Sequence, residues 1–211
     1  MSLTRSEIRA IALRLVLSLP VLLWLGWLWG ENYANLFLPL YREVLSAALD
    51  GFNFTGMEIS HTRTEFVIKA SYTIEKILVV GANTVPSGVD GYVHAPVYYT
   101  VTHPIILAAA ALAWPALSWR GRLIRSLVSI PFLILLEALD IPLVMVSSIT
   151  DAVAQTYDPA GYLLAKPIDW TRFLEGGGRS ALCIAAAFLA AWLHELLPSR
   201  MTKVKATKAG R

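Results

Sequence analysis

Four stretches of the chain are apolar almost without interruption: Ile11 to Trp29, Pro104 to Leu117, Leu123 to Val146 and Ser180 to Leu197. A helix needs about 20 such residues to cross the hydrocarbon core of a bilayer. The third run is long enough to cross with tilt. The second is short and alanine-rich, and reaches spanning length only by extending back through Tyr98 and Tyr99. A basic turn, Trp119-Arg120-Gly121-Arg122, separates these two runs and predicts an antiparallel helical hairpin. The first run follows Arg5, Arg9 and Arg14, as a signal peptide would. It ends in Trp24, Trp27 and Trp29 with no small-residue cleavage pattern beside it, so it reads as an uncleaved spanning helix.

Between the first two runs the period changes. Phe37, Tyr41, Val44 and Ala48 recur at helical spacing and predict a separate helix from Leu36 to Asp50, closed by Gly51. It would lie on a membrane surface or pack on the rest of the protein. Phe66, Ile68, Ala70 and Tyr72 then alternate with polar neighbours. Ile77 to Val80 is a short run ended by Gly81-Ala82-Asn83, and Tyr92 to Val101 is aromatic and β-branched. These predict three short strands, in a sheet too small for a large core of its own. Residues 147–178 contain Tyr157-Asp158-Pro159-Ala160-Gly161 and Gly176-Gly177-Gly178, and read as an external cap loop. The tail beyond Leu197 is basic and reads as disordered, in reach of anionic head groups.

Composition strengthens the membrane reading. Of 211 residues 56% are hydrophobic and 16% charged, against roughly 25% charged in ordinary soluble domains. Seven Trp and eight Tyr suit the lipid–water interface. The net charge of +3 does not indicate nucleic acid, because the basic residues sit beside the apolar runs rather than on one soluble face. They also set an orientation. Eleven lie in the N-terminus, the 120–125 turn and the tail; seven are spread over the far longer remaining segments. The positive-inside rule therefore puts both termini in the cytoplasm.

Charges within apolar runs are costly and draw attention first. Glu137 and Asp140 are three residues apart on one helix face, and Arg179 opens the fourth run. His103 lies at the outer end of the second run and Cys183 one turn beyond Arg179, so all five could converge. They form either an embedded site or an ion-pair network that fixes helix packing. His103, Glu137 and Asp140 are the residues that could hold a metal ion, without any compact ligand motif such as HExxH. No other cofactor is implied. Cys183 is the single cysteine and excludes an internal disulfide. His194 lies eleven residues further along, about 16 Å at helical rise. His103 is therefore the better partner for catalysis at Cys183. His61 and His94 read as surface residues. Walker, dinucleotide, GxSxG and CxxCH motifs are absent from the sequence.

From Tyr98 to Val146 the chain resembles the exosortases and archaeosortases, multi-spanning membrane transpeptidases. Ile105 to Ala113 followed by Trp114-Pro115 resembles the family's apolar helix, which ends in an aromatic-Pro pair before a basic turn. Leu123 to Val146 resembles the helix carrying its Asn-x-x-Arg element. The resemblance implies a Cys/Arg/His acyl-transfer site, and the sequence departs from it there. Val97-Tyr98-Tyr99-Thr100-Val101-Thr102-His103 holds no cysteine, and Glu137-Ala138-Leu139-Asp140 stands where Asn and Arg belong. No histidine in the fourth run matches the family's own.

The expectation is a mainly α membrane protein with four transmembrane helices and a small external α+β insertion between the first and second. Its parts are residues 1–30, 31–100, 101–146, 147–178, 179–198 and 199–211. It would lie in a bacterial inner membrane. The first functional reading is a non-catalytic subunit that assembles or stabilises a larger membrane complex, with lipid and membrane proteins as partners. Behind it stand an exosortase-like peptidase with a rebuilt site and a metal-handling or transport-associated protein.

Overall fold

The computed structural model describes residues 4–114, 118–160 and 170–209, with side chains as far as 196. The order is α1 (Arg5–Ala48), β1 (Phe52–His61), β2 (Phe66–Ile74), β3 (Leu78–Val80), β4 (Asn83–Val85), β5 (Asp90–Pro96), α2 (Val97–Ala113) and α3 (Trp119–Tyr157). A short α4 (Trp170–Phe173) and a π turn (Leu174–Gly178) lead into α5 (Arg179–Ala209). Three helical stretches are long and apolar enough to cross a membrane: Arg5–Ala48, Trp119–Tyr157 and Trp170–Leu196. α2 is apolar but shorter, at 17 residues.

The chain divides into two compact units. One comprises Met1–Gly26, His103–Leu136 and Ser180–Arg211; the other comprises Trp27–Thr102 and Glu137–Arg179.

In the first unit α1 opens with a capping box. The Thr4 backbone N–H donates to Glu7 Oε2 at 2.8 Å, and the Glu7 N–H returns to Thr4 Oγ1 at 3.3 Å. These bonds hold the Glu7 carboxyl below its ordinary range, the Thr4 backbone contributing most. Leu107, Leu136, Cys183 and Ala186 form a small buried cluster joining α2, α3 and α5. The turn expected at 119–122 is instead the start of α3, because the Ser118 hydroxyl accepts the Gly121 N–H at 3.2 Å as an N-cap.

The second unit is built on a three-stranded antiparallel sheet of order β1-β2-β5, with β3 and β4 as a separate hairpin. Ile68, Ala70, Tyr72 and Ile74 alternate inward on β2. They pack with Phe54, Val93 and Ala95 of the flanking strands, with Ala34, Phe37, Tyr41 and Leu45 of α1, and with Ile141, Met145 and Ile149 of α3. Both helices present this core at spacings of three or four residues, which puts each set on one helix face.

Several sequence expectations are corrected here. The helix expected over 36–50 is no separate element: α1 runs through it to Ala48. Its buried stripe is Gly30, Ala34, Phe37, Tyr41 and Leu45, rotated away from Val44 and Ala48, and it faces the sheet. Gly30 does not break the helix, since the helix core tolerates glycine at a cost of about 1 kcal/mol. A Cβ there would come within 2.9 Å of Val101 Cγ2, so glycine is what allows this close approach. Gly51, at φ 85°, ends α1 as expected.

The strand expected over 92–101 stops at Pro96, and α2 begins at Val97 because the apolar run continues at helical spacing through Ala113. The segment 147–178 is not a loop throughout, since α3 continues to Tyr157. β1 and β4 were not expected. The tail backbone continues α5 to Ala209 rather than lacking structure, over a stretch of helix-favouring Lys and Ala.

Candidate functional site

The charged residues singled out in the apolar runs are all deeply buried. Glu137 is 0% exposed, Asp140 2% and Arg179 9%, low enough that each must be paired or solvated by neighbouring groups. α3 places Glu137 and Asp140 one turn apart, and α5 begins at Arg179 directly after the π turn. Gly177 in that turn has φ 106°, a left-handed conformation that glycine adopts without strain and that redirects the chain into α5.

Arg179 and Asp140 meet directly. Nε donates to Asp140 Oδ2, and Nη2 donates to Oδ1 at 2.9 Å, a two-point pairing that fixes the guanidinium plane. The face of that plane lies over the Tyr99 ring, with its central carbon 3.8 Å from the ring centroid. The Tyr99 hydroxyl donates onward to Glu175 Oε1 at 3.0 Å. Glu137 is held separately. The Tyr33 hydroxyl donates to its Oε1 at 2.7 Å, and the Tyr41 hydroxyl donates to its Oε2. Both tyrosines come from the C-terminal half of α1, the half that also packs on the sheet. The Trp170 indole N–H closes the arrangement on the Leu139 carbonyl at 3.0 Å.

This is a network of carboxylates, one guanidinium and phenols. Its charges answer one another: the guanidinium balances Asp140, and two phenol donors solvate Glu137 in place of water.

Nothing matches. Comparison with protein-family models, with curated proteins and with solved structures returns no similar protein.

Of the five residues expected to converge, Glu137, Asp140 and Arg179 belong to one unit, while His103 and Cys183 belong to the other. His103 is 1% exposed on α2. Cys183 is fully buried in the apolar cluster with Leu107, Leu136 and Ala186. Among the described residues no group of three or more His, Cys, Asp and Glu side chains is placed to hold a metal ion. His61 and His94 are exposed on the sheet.

Sequence reasoning found the charges but not their tyrosine partners: Tyr41 and Tyr99 were read only as helix-face and span residues, and Tyr33 was not singled out. The available signal was spacing. Tyr33, Phe37 and Tyr41 repeat every four residues, and their rings follow one another at centroid separations of 5.0 and 6.1 Å.

Proposed function

We propose that the protein is a non-catalytic subunit of a larger membrane complex. It would be anchored by four spans, α1, α2, α3 and α5, in a bacterial inner membrane, with both termini in the cytoplasm and the sheet outside. The observation that carries this reading is the use of the buried charges. Asp140 takes the Arg179 guanidinium by two hydrogen bonds, and Glu137 takes two tyrosine hydroxyls. Such a network ties α1, α2, α3 and the start of α5 into one fixture beneath a small sheet.

Two further features support it. The apolar window of α1 has a mean hydropathy of 2.0 and no residue buried inside the protein, as a lipid-facing helix would. The sheet unit leaves large apolar side chains uncovered, including Ile77 at 67%, Val79 at 75% and Tyr92 at 67% exposure. Uncovered apolar groups of this kind suit a protein contact.

On the resemblance of residues 98–146, the chain would be a divergent relative of the exosortases and archaeosortases without their thiolate, guanidinium and imidazole. The peptidase alternative would have to use Cys183.

The test is purification of the tagged full chain in mild detergent, with mass spectrometry of what stays bound. A stoichiometric membrane protein that is lost on Val79→Asp supports the subunit reading. A partner-free protein whose Cys183→Ala variant loses peptide processing in cells replaces it with the peptidase.

A further inference from the structure

β1 is one edge of the three-stranded sheet, and among the described residues it pairs with β2 alone. A register shift between Phe54 and Gly56 bends its first part; Gly56 to His61 then run opposite Ser71 to Phe66 without interruption. Burial along the inner rows stops short on this side. Ile59, Ile68 and Ala95 form one row across the sheet, and Met57, Ala70 and Val93 the next. Ile68, Ala70 and Ala95 are 0% exposed and Val93 7%, whereas Met57 and Ile59 are only half-buried, although they pack against the same core. The β5 edge is thus covered by its surroundings, and it ends in Pro96, which offers no N–H. The β1 edge is not covered in this way. It carries no lysine and no proline, the residues that commonly guard an open edge. On the outer face Glu58 stands between Met57 and Ile59, its side chain 68% exposed and 3.9 Å from Lys69 Nζ.

We propose that β1 accepts a strand from the protein with which the chain assembles, paired with Gly56 to His61 as β2 is on the other side. The side chains of a strand face the neighbours on both sides, so β2 shows what the added strand needs. It needs apolar residues opposite Met57 and Ile59, where β2 has Ala70 and Ile68. Between them it needs a basic residue opposite Glu58, where β2 has Lys69. Main-chain bonds to the open edge hold such a strand, and these side chains select it. A second copy of the chain does not fit. Antiparallel pairing of two β1 strands requires a twofold axis perpendicular to the sheet. α1 and α3 pack along the inner face of that sheet. With both as spans, the axis would lie in the membrane plane and turn one copy upside down. The inference rests on the subunit reading, whose partner it describes.

The probe is a fluorescent peptide with the nine-residue β2 sequence, Phe66–Ile74, titrated against the full chain in detergent and followed by anisotropy. It should bind at one site. A copy with Lys69→Glu should bind about threefold more weakly, because like charges then face each other. Glu58→Lys in the chain should reverse that preference, and Glu58 is exposed enough for the variant to fold. A copy with Ala70→Pro, which cannot extend the ladder, should not bind. Equal binding of all three copies overturns the proposal, as does failure of the first to bind or to displace a co-purified partner. A dimer of the chain that dissociates on Ile59→Asp overturns the choice of occupant in favour of a second copy. Absence of any co-purifying partner defeats the subunit reading separately, whatever the peptide does.

Discussion

Arg179 donates through both Nε and Nη2 to the two carboxylate oxygens of Asp140, 39 positions away in the chain. Neither side chain is more than 10% exposed, so the pairing takes the place of water between them. Removing one partner of a buried pair strands the other, at a cost of about 3–5 kcal/mol. Asp140→Leu and Arg179→Leu should therefore each lower the thermal unfolding midpoint sharply. The double variant should lose much less than the sum of the two. Additive losses in a double-mutant cycle would show that the pair is not coupled.

Glu137 depends on two hydroxyls from α1. Tyr41 is fully buried and Tyr33 half-buried, so Tyr41→Phe should cost more, about 1–3 kcal/mol for a buried group deprived of its donor. Glu137→Gln retains a carbonyl that can accept from one tyrosine and should fold with partner binding intact. Loss of partner binding by well-folded Glu137→Gln would mean that the carboxylate does more than hold α1 in place.

Gly91 faces Tyr72 across the β2–β5 ladder. A Cβ there would lie 2.5 Å from Tyr72 Cζ and 2.6 Å from its hydroxyl. The ring cannot swing away freely, since Phe52 and Phe54 pack edge-on against it at 5.5 and 6.2 Å. Gly91→Ala should overpack the sheet by about 1–3 kcal/mol. Adding Tyr72→Leu should recover part of that loss in a chemical denaturation series.

On the surface, Lys76 Nζ lies 2.6 Å from Asp50 Oδ1. The hydrogen bond and charge of Lys76 hold the Asp50 carboxyl below its ordinary value of 3.8. A carboxyl depressed in the folded state binds fewer protons there than in the unfolded state. Its contribution is thus complete above the ordinary value and lost as pH falls through the depressed one. Wild type should unfold at a slightly higher temperature than Asp50→Asn at pH 7, and the gap should close in acid below pH 3.8. It should also shrink with added salt, because the pair is exposed.

What the sequence made legible follows physical lines. The long apolar runs and the alternation of Phe66, Ile68, Ala70 and Tyr72 read directly, because one-sided burial leaves a period. β1 was hidden because its register shifts between Phe54 and Gly56, which breaks the alternation that marks a strand. Val97 to Val101 looked like strand from its β-branched and aromatic content, but the continuing apolar run to Ala113 prevails over local preference. Glu137, Asp140 and Arg179 stood out as charges in apolar surroundings. Their tyrosine partners did not, since a tyrosine near an apolar run reads equally well as an interfacial ring. Arg125 was counted as a charge that orients the chain, and its burial, at 3% exposure, was not legible from the sequence.

The core beneath the sheet draws on residues from Ala34 to Ile149. During synthesis all five strands leave the ribosome before the α3 residues that cover them. Until Ile141, Met145 and Ile149 arrive, the inner face of β2 has only α1 to shelter it. A chain stopped after residue 100 would therefore carry an apolar sheet face covered by α1 alone, prone to aggregation and to proteolysis. The sheet is thus not a domain that can be cut out and studied alone, and its maturation waits on the helix that completes it.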